Sequence, residues 1–282
     1  MPPRSPHTAE ASNEPQSPGD ASPTTRWDWG GIGDAIAYSS GLPAAVGAAL
    51  SLVSSGILDA GAAGHSAILA AAGTFIVYGL DRLRDVERDR MTSPRRTEFV
   101  ERNRRAIQVA VAIAALIFVP AFAVADRSTQ ALCLAIGAIG LLHRRLKEHP
   151  ALKILYVSLA WVAVSVGIPW LAAGRPAAGL WLGSVLWLVL AANLIASNLR
   201  NGETRRFPGR LRTILAMGLG LITAGLALAI VAAPPVGAAA WIALLEGIAL
   251  AGFRAGERYR LLVVDGALLA GSACAGLHLH LV

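Results

Sequence analysis

Charge is what this sequence lacks most. Only 15% of its 282 residues are Asp, Glu, Lys or Arg, where a soluble globular domain carries about 25%. With 55% of the chain hydrophobic and a mean hydropathy of +0.54, there is too little charge to cover a water-soluble fold. Cysteine is nearly absent as well. Cys133 and Cys274 both sit in apolar stretches, which excludes a disulfide framework and any cysteine-based metal spacing. The N-terminus has no apolar run. Residues 1–28 are rich in Pro, Ser, Thr and charge. They lack the apolar core of a signal peptide and the arginine density of a transit peptide, and read as a disordered cytoplasmic tail. No basic soluble domain exists to carry the formal net charge of +7. That charge is therefore read as membrane topology, not as a nucleic-acid footprint.

What the chain does have is a succession of apolar stretches about 20 residues long, the length that crosses a bilayer core as a helix. Nine spans are expected, near 32–56, 60–80, 106–125, 128–142, 151–173, 177–197, 213–233, 235–253 and 261–282, with ends good to about four residues. The fourth is short, and Pro234–Pro235 marks a tight turn. Residues 29–282 then form one all-α, polytopic membrane domain. The intervening charge is one-sided: 23 of the 25 Lys and Arg fall on one side, and only Arg127 and Arg175 on the other. The positive-inside rule puts the tail and the even-numbered loops in the cytoplasm and the C-terminus outside a cell membrane. A miscount by one span would scramble that split.

Two charged segments resemble each other. Residues 81–97 (DRLRDVERDRMTSPRRT) and 197–213 (SNLRNGETRRFPGRLRT) align without gaps at an offset of 116, sharing six identities: Leu83/Leu199, Arg84/Arg200, Glu87/Glu203, Arg90/Arg206, Arg96/Arg212 and Thr97/Thr213. Four spans, an even number, separate them, so both copies emerge on the same face. This is the mark of two parallel four-helix repeats about an axis along the membrane normal, with both segments at the mouth of one central cavity.

The first copy carries the chemistry. Asp81, Asp85 and Asp89 are spaced i, i+4, i+8, which lines them along one face of a continuing helix. Three stacked carboxylates need positive charge beside them, from arginines or a divalent cation. Mg²⁺ takes one or two protein carboxylates and completes its shell with water and phosphate oxygens. Arg82, Arg84, Arg88 and Arg90 are interleaved with the acids and are suited to gripping the same phosphate. A solvated loop of mutually paired Asp and Arg is the competing reading. Of the acids and histidine embedded in the apolar stretches, Glu246, Asp265 and His65, Glu246 lies nearest mid-span. Such groups face a bundle interior by default, serving either a function or a helix–helix hydrogen bond. The tryptophans Trp161, Trp170, Trp181, Trp187 and Trp241 suit an interfacial belt.

The pattern resembles the UbiA family of intramembrane prenyltransferases, over about residues 30 to 282. That family has nine transmembrane helices, an N-D-x-x-D-x-x-x-D motif after the second and a D-x-x-x-D motif, often within N-x-x-D-x-x-x-D, after the sixth. Asp85 and Asp89 fall on the last two acids of the first motif, Asp81 on its Asn and Arg82 on its first Asp. Leu146 to Trp161 (LKEHPALKILYVSLAW) is similar to the cytoplasmic stretch entering the fifth helix, with Lys153 and Tyr156 its notable residues. In the second motif Asn198 matches the Asn and Arg206 the following Arg. Asn201 and Arg205 replace the two acids, leaving Glu203 as the carboxylate there. Asn193, Ser197, Asn201 and Arg205 still share a helical face. Arg205 would repel a cation by about 4 kcal/mol at 4 Å in an effective dielectric of 20, which disfavours a second Mg²⁺ and suits direct diphosphate binding.

The resemblance implies Mg²⁺-dependent transfer of a prenyl group from a prenyl diphosphate to an aromatic or other lipophilic acceptor. It implies Asp81, Asp85 and Asp89 as catalytic and, with Glu203, metal-binding residues. It implies Arg82, Arg84, Arg88, Lys153, Asn198, Asn201, Arg205 and Arg206 on the diphosphate. The altered second motif sets beside this a non-catalytic member that binds an isoprenoid lipid or a partner protein without turnover. A transporter fits less well, because most charge lies at one mouth and not near the midplane. The D-G-x-x-A-R signature of CDP-alcohol phosphotransferases is absent.

Overall fold

The computed structural model describes residues 34–36, 38–90, 93–146, 150–198, 208–232, 234–254 and 259–281. The proposed tail at 1–28 lies outside them. Among the described residues there is no strand.

Helix occupies all nine of the expected stretches. Helix α1 is Gly41–Ile57 and α2 is Ala63–Arg84. Two short helices come next, α3 (Val86–Asp89) and α4 (Pro94–Arg102), in the stretch whose charge points to the cytoplasm. Then come α5 (Arg104–Val124) and α6 (Arg127–Leu146). Helix α7 (Pro150–Val162) continues through a π-helical turn, Ala163–Gly167, into α8 (Ile168–Ala172). Helices α9 (Ala178–Asn198) and α10 (Pro208–Val231) are next in the chain. The Pro234–Pro235 turn is itself a helical turn, α11 (Pro234–Gly237), leading into α12 (Ala240–Ala251). A second π segment, Tyr259–Val264, opens the last helix, α13 (Asp265–Leu281).

Seven of these segments are long and apolar enough to cross a membrane: Ala63–Arg84, Arg104–Val124, Leu152–Ala172, Ala178–Ser197, Leu211–Val231, Pro234–Ala251 and Leu261–Leu281. The other two differ for separate reasons. Helix α1 is apolar but has 17 residues, starting later than the expected 32. Helix α6 is 20 residues long, longer than the expected 128–142, and its last turn contains His143, Arg144 and Arg145.

Local chemistry sets several of the ends. Asp126 caps α6: its carboxylate accepts from the Ser128 and Thr129 backbone N–H groups at 2.9 and 3.0 Å, and from the Thr129 hydroxyl at 2.6 Å. This satisfies donors that a helix start leaves orphaned. Helix α8 closes with a Schellman motif. Arg175 N–H donates to the Trp170 carbonyl at 2.8 Å and Gly174 N–H to the Leu171 carbonyl at 3.2 Å, with Gly174 at φ +77°.

The helices close on one another around α1. Helix α1 packs against α2, α13 and the π turn at 163–167; the circuit continues from α13 to α12, α10, α9 and back through α7. Helix α5 packs on the outside of α2. The core is apolar and contributed by Leu50 of α1, Leu186 and Val189 of α9, Ile242 of α12 and Leu268 of α13, among others. The outside is apolar too. On α5, Leu116 is 75% exposed and Val124 78%. A face of this kind, continued on α10 by Met217, Ile230 and Val231, is far larger than a soluble monomer tolerates and matches hydrocarbon.

Candidate functional site

Helix α2 ends in Leu-Asp-Arg-Leu-Arg, and the helical register carries past its end. Asp85 N–H donates to the Asp81 carbonyl and Asp89 N–H to the Asp85 carbonyl, each at 2.9 Å. The three aspartates therefore rise one turn at a time, as their spacing predicts, but their surroundings differ. Asp81 is exposed, Asp85 is buried at 8% and Asp89 is half-buried. Arg96 of α4 donates to an Asp89 oxygen, an ion pair largely shielded from solvent. Part of the positive charge the sequence demanded thus comes from a helix that folds back on the acids. Pro94 at the start of α4 favours that helix, and Thr97, Val100 and Ile107 bury against α2 and its extension.

Arg82 is also withdrawn from solvent. It is 6% exposed, and its guanidinium donates to the Tyr38 backbone carbonyl, tying the chain ahead of α1 to the end of α2. Arg84 is exposed. Arg90, interleaved with the acids in sequence, pairs with Glu101 at 2.6 Å and Glu87 at 3.6 Å. The Arg88 side chain lies outside the described residues. Among the described residues, no three His, Cys, Asp or Glu side chains converge as a metal-binding group. Asp81 and Asp85, one helical turn apart, match the one or two carboxylates that Mg²⁺ takes; Asp85 and Asp89 both have partners in this structure, Asp89 in Arg96.

Beneath the aspartates lies an aromatic layer. Asp81 is within electrostatic reach of Tyr78 on its own helix and Tyr156 on α7. Trp161 donates its indole N–H to the Tyr78 hydroxyl at 3.0 Å, with the rings edge-on at 6.0 Å. Lys153, half-buried one turn before Tyr156, is also paired. Tyr78 in turn lies within reach of Asp265 in the first turn of α13. Asn193 of α9 donates to Asp265 at 3.3 Å, and Glu246 of α12 is within reach of both. A line of polar groups thus runs from the mouth into the bundle, linking α2, α7, α9, α12 and α13.

Past Tyr156 and toward the opposite end of α7–α8 there is an open-sided cleft of about 470 Å³ between α6, α7–α8 and α9, with Leu159 and Leu180 at its exposed rim. Its lining is apolar apart from Ser184, and includes Leu132, Val166, Trp170, Gly183 and Trp187. The π turn faces it through Ala163, Val166 and Gly167.

The second charged segment enters this picture only at its start. Helix α9 delivers Asn193 and Ser197 and ends at Asn198, whose side chain, with all of Asn201, Glu203, Arg205 and Arg206, lies outside the described residues. Tyr78 and the Asn193–Asp265 contact were not singled out from sequence. A tyrosine one turn before an aspartate at a span end is the signal available for the first. Comparison with family models, curated proteins and solved structures returns no match.

Proposed function

We propose that this chain is a nine-span membrane protein of the UbiA type that binds a prenyl diphosphate and transfers its prenyl group to an aromatic or other lipophilic acceptor. In this reading the one-sided charge sets the topology, with the tail and even-numbered loops cytoplasmic, the C-terminus outside and the two charged segments as parallel repeats over one cavity. The observation that carries the reading is the vertical order of the site. Acid and arginine stand at one end, Tyr78, Tyr156 and Trp161 below them, and an open apolar cleft of about 470 Å³ further along α7–α8. That order matches a molecule with a diphosphate head, a reactive allylic carbon and a greasy chain.

In this reading Asp81 and Asp85 would hold Mg²⁺, which when bound shields the charge of the diphosphate oxygens. Arg84, Arg88 and Lys153 at this mouth, with Asn198, Asn201, Arg205 and Arg206 from the second segment, contact the remaining oxygens. The allylic C–O bond breaks and its electron pair leaves with the diphosphate. The acceptor supplies the pair for the new bond and loses a proton to the departing diphosphate. Faces of Tyr78 and Trp161 stabilise the cation-like carbon between these events. Purified protein given prenyl diphosphates, Mg²⁺ and an acceptor panel will release pyrophosphate. Asp85→Asn will abolish that release, and undiminished release by this variant counts decisively against the assignment.

Two observations favour a second reading, binding without turnover. Asp89 is engaged by Arg96, and Asn201 and Arg205 stand where the resemblance expects acids. It predicts that an isoprenoid lipid copurifies while pyrophosphate release stays at background. Activity gained in an Asn201→Asp, Arg205→Asp double variant would identify a degenerated enzyme.

A further inference from the structure

Glu246 is fully buried, at 0% exposure, in the middle of α12. Neither of its carboxylate oxygens has a well-formed hydrogen bond. The Asn193 amide reaches toward it but is shared with Asp265, to which it donates at 3.3 Å, and Asp265 is a second carboxyl within electrostatic reach. One amide between two carboxyls is less than the helix–helix hydrogen bond that ordinarily keeps a glutamate inside a bundle. An ionised carboxylate left bare in a low-dielectric interior is strongly unfavourable, and a neighbouring acid makes it worse. No cationic side chain among the described residues of the surrounding elements acts on Glu246; the Arg260 side chain lies outside the described residues. Helix α13 contributes Asp265, with His278 and His280 at its far end; α9 contributes Asn193. Tyr259, in the π segment, spends its hydroxyl on the Ala249 carbonyl. Helix α10 has no ionisable side chain between Ile214 and Val231. The second π segment leads directly into Asp265; π turns recur at functional sites.

We propose that Glu246, Asp265 and Asn193 form a binding site for Na⁺ inside the helix bundle. The site is separate from the aspartates of α2 and does not depend on prenyl transfer. Its ligands are hard oxygens, suited to such an ion. Occupancy joins α9, α12 and α13, so it stabilises the fold by mass action.

Two measurements on the full-length protein in detergent test this. The first is the thermal unfolding midpoint in NaCl against choline chloride of equal concentration, from pH 5 to 9. The site raises the midpoint by about 5 °C in NaCl. That rise will be absent from Glu246→Gln, which is neutral and nearly the same shape. A midpoint that ignores sodium, or an equal sodium response in the two proteins, overturns the proposal. The second needs no variant. A lipophilic carbodiimide, which attacks protonated carboxyls in apolar surroundings, will modify Glu246. Sodium will slow that modification. Absence of Glu246 modification in choline chloride, or an equal rate in NaCl, overturns the proposal independently.

Discussion

At the scale of single residues, Asp126 shows how one carboxyl fixes a helix start. It receives three hydrogen bonds within three residues of chain, and the Thr129 hydroxyl, followed by the Thr129 N–H, holds its carboxyl below the ordinary carboxylate range. Its unfolded value is the higher one. The stability it contributes is therefore fully present above the ordinary carboxylate pKa and is lost as pH falls through the depressed folded value. Asp126→Ala will lower stability by about 1 kcal/mol near neutral pH. Below the folded value the difference from wild type will shrink, a trend that unfolding curves taken from neutral to acid pH will reveal.

At the scale of helices, glycine decides how closely α12 and α13 approach. A methyl group on Gly271 would stand 2.6 Å from the Ile242 Cα and 3.1 Å from the Trp241 carbonyl oxygen. Both are backbone atoms and cannot step aside. Between membrane helices such small-residue contacts replace the hydrophobic drive that lipid removes. Gly271→Ala will destabilise the protein by about 1–3 kcal/mol, read as a lower unfolding midpoint. Gly266→Ala and Gly276→Ala, on the same helix with nothing within 4 Å, will leave it near wild type. This contact also explains what sequence hid about the interior acids. Glu246 and Asp265 stand out in sequence as acids within apolar stretches, but that they come within electrostatic reach of each other depends on the helix pairing. The helices themselves were legible because hydropathy is a local property. It failed at the end of α6, where backbone hydrogen bonding runs on through His143 to Leu146 after the apolar residues stop. The Asp81, Asp85, Asp89 ladder was legible for the same local reason. The Arg96 pairing was not, since it needs α4 to turn back, and the Tyr78–Trp161 bond joins residues 83 positions apart.

At the scale of the whole molecule, the inference drawn from charge is sidedness. With Cys133 and Cys274 replaced by alanine, single cysteines at positions 95 and 128 report opposite faces. A membrane-impermeant thiol reagent will label position 128 on intact cells and position 95 only after permeabilisation. The reverse pattern inverts the topology, and labelling of both from outside removes it.

The π turn at Ala163–Gly167 makes this long segment a composite. Such a turn takes up more chain than an α-helical one, so α8 is rotated relative to α7, by roughly 100° for each extra residue. Trp161, bonded to Tyr78, and Trp170, which lines the cleft and donates to the Pro176 carbonyl, are on opposite sides of that twist. The bulge works as a phase shifter. It lets the helix that carries Tyr156 and Trp161 into the polar layer turn Val166, Trp170 and Leu171 onto the greasy cleft beside Leu159 and Val162, an alignment that an unbroken spiral of the same length would set at a different angle.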